Sequence, residues 1–164
     1  MSQSIDRYVI VAMFPIVIAA WFVARSLAAR TAQRFALVFA SSVSIGLILA
    51  VTLFGRMLEL SSWGHGTLTT SWLTDSTLWS NALDINRPWL LNFGLFLPAG
   101  FFCSLAFRRT LIAVLSLTGL SFAIEFIQRW MMLGTADPAD LVANLAGVLV
   151  GVMCTGAVRL ASGR

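Results

Sequence analysis

The residues best suited to chemistry are polar side chains that interrupt the apolar second half of the chain. Glu125 with Asp137 or Asp140 offers paired carboxylates, which suit proton transfer when their environments separate their pKa values. These three acids are the candidate catalytic residues. Amides and carboxylates also bind ligands through hydrogen bonds. The candidate ligand-binding residues are Asn92, Glu125, Gln128, Asp140 and Asn144.

Motifs typical of familiar enzyme classes are missing from the sequence. There is no nucleophile elbow, P-loop or zinc motif, and the single histidine, His65, lies between two glycines that indicate a turn. The Asp137-x-x-Asp140 pair has no basic phosphate clamp beside it. We therefore predict neither a cofactor nor a metal, and catalysis is the less favoured interpretation.

The elements that must hold these residues are membrane spans. The chain has 164 residues, of which 59% are hydrophobic and 11% charged, and its mean hydropathy is +0.87. Soluble domains are about 45–50% apolar and about 25% charged, so this composition indicates an integral membrane protein. Crossing the hydrocarbon takes about 20 apolar residues, and about 17 suffice. Five stretches qualify: 8–24, 35–54, 89–107, 110–127 and 141–158.

Continuous apolar runs favour helices over a barrel, because lipid forces every backbone polar group to find an internal partner. We predict one all-α membrane domain over residues 1–164, a polytopic bundle of five spans with a long loop at 55–88. Cys103 and Cys154 lie inside apolar runs and are predicted to be free, buried thiols. The loop tryptophans, Trp63, Trp72 and Trp79, are predicted to anchor at the membrane interface, with stacking on a ligand as the alternative.

The charges predict an orientation. One side of the five spans holds seven arginines and no acid: Arg25, Arg30, Arg34, Arg108, Arg109, Arg159 and Arg164. All seven acids lie on the other side with the remaining four arginines. Since positive charge is retained in the cytoplasm, the predicted topology is N-out and C-in. The formal net charge of +4 therefore reflects the orientation of the chain in the membrane and does not indicate nucleic-acid binding. The predicted partners are membrane lipids.

The spans place three candidates at one depth. Asn92 lies four residues inside the outer end of its span, and Asn144 lies four residues below Asp140, so both are about 6 Å deep. Glu125 lies about 24 Å above Arg109 in a hydrocarbon core of about 30 Å. It too is then about 6 Å below the outer surface. We expect three helices to present these side chains in one outer polar layer.

Small residues and one proline are predicted to set the helix packing. They are Gly94, Pro98, Gly100, Gly147 and Gly151. The Gly147-x-x-x-Gly151 pair lets another helix approach closely. Pro98 cannot donate to the carbonyl of Gly94, so we expect a kink and a freed backbone acceptor near the polar layer.

Structural roles would account for the same polar residues. Asp137 before Pro138 is typical of a helix N-cap, and Asp140, three residues after Asp137, favours the positive end of the helix dipole. The two asparagines would then only hydrogen-bond across helices. Glu125 would pair with Arg129, one turn away, or be uncharged.

Three ordered segments carry a resemblance to a known family. They are Asn92-Phe-Gly-Leu-Phe-Leu-Pro-Ala-Gly100, Ser121-Phe-Ala-Ile-Glu-Phe-Ile-Gln128 and Asp137-Pro-Ala-Asp-Leu-Val-Ala-Asn-Leu-Ala-Gly147. In order and spacing they match segments of the VanZ-like family of small bacterial membrane proteins, which the chain resembles over residues 87–155. That family often has an arginine just before the first aspartate. Here positions 134–136 are Gly-Thr-Ala, and Arg129 is the nearest substitute.

The resemblance implies a protein of the bacterial cytoplasmic membrane with a role in the cell envelope, because the family is named for a protein that confers low-level teicoplanin resistance. Binding of a lipid-linked, peptidoglycan-related or glycopeptide antibiotic ligand at the outer leaflet is the first hypothesis. An enzyme that uses Glu125 with Asp137 or Asp140 on a lipid-linked substrate is the second. A small transporter subunit is the third, and the oligomeric state stays open.

Overall fold

The computed structural model describes residues 2–31, 34–54, 66, 70–107, 110–133 and 137–162, with side chains at 2–12, 31 and 54 outside the description. These residues form helices and turns and contain no strand. Within the described residues, six α-helices follow one another: α1 Ser2–Thr31, α2 Phe35–Leu49, α3 Ser76–Ser80, α4 Arg87–Ala106, α5 Thr110–Trp130 and α6 Pro138–Ala161. A π-helical turn, Ala50–Phe54, continues α2, and a short 3-10 turn, Ser71–Leu73, precedes α3.

Five of the described helices are long and apolar enough to cross a membrane, which confirms the predicted all-α bundle of five spans. Their apolar windows are Met13–Arg30, Phe35–Leu53, Arg87–Ala106, Thr110–Trp130 and Pro138–Ala161. The first window begins at Met13, the first residue of α1 whose side chain is described, and it ends beyond the predicted 8–24 because α1 continues past Arg25. The Arg25 guanidinium lies 5.2 Å from the centroid of the Trp21 ring, a cation–π contact that helps this helix tolerate the charge.

Helix α4 is the centre of the bundle. It packs against α2, α5 and α6, and its most extensive interface is with α6 rather than with its sequence neighbour α5. The largest buried cluster joins Phe96, Ala99 and Cys103 of α4 to Ile48, Ala113, Leu117, Ile124 and Val148 on the surrounding helices. Helix α1 packs mainly on α2, so it lies at the periphery of the bundle.

Glycines allow the close approach of α4 and α6. A Cβ at Gly151 would overlap the carbonyl oxygen of Leu97, and one at Gly147 would overlap that of Phe93. From the other helix, a Cβ at Gly100 would lie 2.5 Å from the carbonyl oxygen of Val148. Without side chains at these positions, the two backbones pack directly against each other.

Two sequence expectations about these helices need correction. Gly94, assigned to helix packing, is exposed, and no heavy atom lies within 4 Å of where its Cβ would be. Cys154, expected to be buried, is exposed, whereas Cys103 is buried; both are free thiols. Periodicity alone could not tell which face of each helix meets its neighbour. Pro98 lies inside α4, which is helical without interruption from Arg87 to Ala106.

Residues 70–86, which precede α4, pack against the bundle through Trp72. Trp72 is only 3% exposed, and its ring packs edge-on against Phe126 with Leu141 beside it. Trp72 therefore belongs to the protein core, neither anchoring at the interface nor open to a ligand.

Asp75 caps α3, and the hydrogen bonds from the Thr77 side chain and backbone lower the pKa of its carboxyl. His65 and Trp63 of the same loop lie outside the described residues.

The opposite end of the bundle is held by Arg159 of α6. Its guanidinium donates to the backbone carbonyl of Ser104 at 2.5 Å and to the Thr110 hydroxyl at 3.3 Å. The Ser104 hydroxyl in turn donates to that of Thr155 at 2.6 Å. These bonds tie the end of α4 to α6 and to the start of α5.

Candidate functional site

The acidic end of the bundle, as we call it, is the end at which α5 finishes and both α4 and α6 begin. It carries Glu125, Asp137 and Asp140. The N-caps of α4 and α6 direct side-chain oxygens to free backbone donors there: Asn86 accepts from Trp89, and Asp137 accepts from Ala139 at 2.9 Å. The predicted N-cap at Asp137 is therefore confirmed.

A hydrogen bond between Asn92 and Asp140 joins the two central helices at this end. The Asn92 amide nitrogen, in the second turn of α4, donates to Oδ1 of Asp140, in the first turn of α6, at 2.5 Å. Both side chains are half-buried. A charge-assisted bond of this length is stronger than a neutral one, so it fixes the orientation of both groups at the rim of the bundle.

Glu125 lies deeper and is 2% exposed. Its Oε2 accepts a hydrogen bond from the backbone N–H of Asp137, the N-cap of α6, at 3.3 Å. The carboxylate thus lies near the positive end of the α6 dipole, which favours negative charge. This contact brings Glu125 beside Asp137, so the structure does place two of the three candidate acids together.

Asn144 meets Ser121 below this carboxylate layer. The Asn144 amide nitrogen donates to the Ser121 hydroxyl at 2.8 Å, and each residue is 3% exposed. The other end of the amide, Oδ1, accepts no hydrogen bond from the described residues. The pair therefore links α5 to α6 and leaves one acceptor unused.

Gln128 reaches a different helix. Its amide nitrogen donates at 2.9 Å to the backbone carbonyl of Thr52, inside the π-helical turn that ends α2. A π-helical turn disrupts the regular i to i−4 pattern, which makes such a carbonyl available to a side chain. Oε1 of Gln128, like Oδ1 of Asn144, has no partner within the described part of the chain.

Comparison with known proteins adds to this geometry. A family model described as VanZ/LLP1 matches residues 8–159. The chain belongs to this family. The match takes in the first two spans and the long loop, where the sequence offered no recognisable motif. Neither the curated proteins nor the solved structures contain a match to the chain.

The structure of this VanZ/LLP1 family member groups the candidate residues in two levels. Asn92, Asp137 and Asp140 form a half-buried rim, and we call this set the rim. Glu125, Gln128 and Asn144 are buried beneath it. The sequence predicted that Asn92, Glu125 and Asn144 share one depth, and it could not predict how far each side chain is buried against its neighbours. The described residues contain no group of three His, Cys, Asp or Glu side chains that could hold a metal ion.

Two residues of this VanZ/LLP1 protein were missed by the sequence analysis. Thr52 supplies the carbonyl that Gln128 binds, and its own hydroxyl donates to Ile48 within the helix. Thr118 is one turn below Ser121, and its hydroxyl has no partner among the described residues. A threonine in a membrane span is a weak candidate for a site, because its hydroxyl can donate a hydrogen bond to a backbone carbonyl of its own helix. The available signal for Thr118 was its i, i+3, i+7 spacing with Ser121 and Glu125.

Proposed function

We propose that this VanZ/LLP1 family protein binds the polar part of a lipid-linked, peptidoglycan-related or glycopeptide antibiotic ligand at the outer leaflet, and thereby protects the cell envelope. The observation that carries the proposal is the Asn92–Asp140 pair. Its two side chains are fixed in orientation yet half-buried, at the rim where two spans begin. A purely structural bond in a membrane bundle does not need this exposed surface.

The chemistry of the rim favours ligands that donate hydrogen bonds. Asp137 and Asp140 are half-buried carboxylates, and Glu125 lies directly beneath Asp137. Ionised carboxylates only accept hydrogen bonds. Hydroxyl, amide and ammonium groups, which abound in sugars and peptides, are therefore the complementary partners.

The proposed position on the outer side rests on the arginines. Arg25, Arg30, Arg34 and Arg159 all lie at or near the opposite end of the spans, and cytoplasmic retention of positive charge would put that end inside. The acidic end would then face the compartment where peptidoglycan and glycopeptide antibiotics are found. Acid and base chemistry by Glu125 is less well supported, because the sequence contains no motif typical of a known enzyme class.

The proposal is tested by survival on teicoplanin of cells that express isosteric variants. Glu125→Gln and Asp140→Asn remove one charge each, while Gln and Asn can still accept the hydrogen bonds from Asp137 and Asn92. Asp84→Asn is the matched control, because Asp84 is exposed and lies outside the spans. We expect both site variants to lose protection and the control to keep it, at equal amounts of inserted protein.

Full protection by normally inserted Glu125→Gln and Asp140→Asn would refute the proposal. Incubation of the purified protein with teicoplanin or with a lipid-linked peptidoglycan precursor separates binding from catalysis. Stoichiometric retention is the expected result. Release of a chemically altered product would instead support the enzyme hypothesis.

A further inference from the structure

Arginines lie at the end of the bundle opposite the acidic end. Those that the structure describes are Arg25, Arg30, Arg34 and Arg159, and we call this end the arginine end. Every acid whose side chain is described lies at the acidic end or in residues 70–86, which pack against it. The arginine end therefore carries positive charge that no carboxylate of the described residues offsets.

Packing fixes the level of two of these arginines. Ala24 of α1 lies in one buried cluster with Ala106, the last residue of α4 and of its apolar window. Arg25 directly follows Ala24. Arg159 donates to the backbone carbonyl of Ser104, two residues before Ala106. Both arginines therefore lie where the span ends, which is the level at which lipid headgroups meet the hydrocarbon.

Neither guanidinium is neutralised within the described part of the chain. Arg159 is half-buried, and its two acceptors, the Ser104 carbonyl and the Thr110 hydroxyl, are both uncharged. Arg25 is exposed, and its contact is with the face of the Trp21 ring. A guanidinium has five N–H donors, so each arginine keeps its full charge and free donors for an anion.

Exposed apolar side chains flank both cations. Val158 and Leu160, on either side of Arg159, are 47% and 84% exposed. Phe22, three residues before Arg25 and therefore on the same face of α1, is 62% exposed. A soluble acidic protein or a nucleic acid would meet the charge but leave this apolar surface in water. A phospholipid supplies an anion and hydrocarbon together.

We infer that Arg25 and Arg159 each bind the phosphate of an anionic phospholipid, whose chains cover the apolar side chains beside them. The fork of a guanidinium matches two phosphate oxygens, and its hydrogen bonds to an anion are stronger than those to a neutral acceptor. Zwitterionic lipids carry the same phosphate, but their ammonium group offsets its charge. The arginine end therefore selects headgroups with a net negative charge. This site lies at the other end from the rim, so it does not depend on the proposed function.

The test is native mass spectrometry of the purified full-length protein in detergent micelles. The protein is titrated with equal amounts of dioleoylphosphatidylglycerol and dioleoylphosphatidylcholine, which have the same chains and differ in the headgroup and its charge. One arginine near an anionic headgroup changes affinity about fivefold. We therefore expect the unaltered protein to bind phosphatidylglycerol about fivefold more tightly than phosphatidylcholine, for each of the first two lipids bound.

Two variants and one control locate the site. Arg25→Gln and Arg159→Gln remove one charge each, and a glutamine at position 159 can still donate to the Ser104 carbonyl. Arg87→Gln is the matched control, because Arg87 is exposed and begins α4 at the acidic end, so the same charge is removed elsewhere. We expect each site variant to lower the preference about fivefold for one bound lipid. The double variant should lose the preference, and the control should keep it.

Equal binding of the two lipids by the unaltered protein would overturn the inference. A preference that falls as far in Arg87→Gln, or in the rim variant Asp140→Asn, as in the double variant would overturn its placement at the arginine end. Displacement of bound phosphatidylglycerol by equimolar polyglutamate or glycerol phosphate would overturn the phospholipid assignment, in favour of a soluble acidic partner or a free phosphate. If Arg159→Gln loses its helical circular dichroism, Arg25→Gln against Arg87→Gln still decides, because both of these side chains are exposed.

Discussion

Replacing Gly151 by alanine is the sharpest test of how α4 and α6 meet. A Cβ at this position would overlap the carbonyl oxygen of Leu97 and would lie 2.7 Å from the backbone nitrogen of Phe101. Both atoms are backbone, so neither can turn away. The two helices must therefore separate by about 1 Å at this point, which disrupts packing on either side.

The expected loss of stability combines two opposing effects. Overpacking of a tight core costs about 1–3 kcal/mol, whereas alanine gains up to about 1 kcal/mol over glycine in helix propensity. We therefore expect Gly151→Ala to destabilise the protein by a net amount of about 1–2 kcal/mol. Gly156→Ala is the matched control on the same helix, since nothing lies within 4 Å of its Cβ position. It should be neutral or stabilising by up to about 1 kcal/mol.

The assay is reversible unfolding of the purified variants in mixed micelles as the fraction of denaturing detergent rises, followed by helical circular dichroism. Variants and control are compared at the same protein and lipid concentrations. A Gly151→Ala protein as stable as Gly156→Ala would show that the helices do not cross as described. It would also remove the support for the Asn92–Asp140 contact, which spans the same interface.

Two further predictions concern the end of α5 and the orientation of the bundle. Met132 has a φ of 54° in the turn that ends α5, in which the N–H of Leu133 donates to the carbonyl of Gln128. Because glycine adopts a positive φ without the strain of a side chain, Met132→Gly should stabilise the protein by about 1 kcal/mol. The control Met131→Gly should not stabilise it. Equal melting temperatures for the two would contradict this. In a protein without Cys103 and Cys154, an impermeant thiol reagent added outside should label a cysteine at the exposed loop position 80 and spare one at position 30; the reverse pattern would invert the topology.

Length and hydropathy were enough to predict the five spans, because crossing a bilayer imposes a minimum apolar run on each helix. The N-cap at Asp137 could also be predicted, since capping is local in sequence. Which helices are neighbours in the bundle could not be predicted from the sequence. The pair Gly147 and Gly151 indicated a close approach, but only the three-dimensional packing shows that α4 is the partner, through Gly100 and not Gly94.

The polar residues of the site could be selected because each is costly in hydrocarbon. Which of these residues form hydrogen bonds with one another could not be predicted in the same way. Depth along the axis suggested that Asn92 and Glu125 share a layer, yet Asn92 bonds Asp140 while Glu125 bonds the backbone of Asp137. Rotation of each helix about its own axis decides such pairs, and hydropathy carries little information about it.

The most direct measurement for the central claim is the number of ligand molecules that remain bound to each chain after gentle purification. Mass spectrometry would count lipids and glycolipids retained by the unaltered protein, by the double variant Glu125→Gln with Asp140→Asn, and by Asp84→Asn. A binding site at the acidic end predicts about one molecule of a single species per chain, kept by Asp84→Asn and lost by the double variant. Equal retention by all three proteins, or a mixture that only mirrors the bulk membrane lipids, would contradict the account.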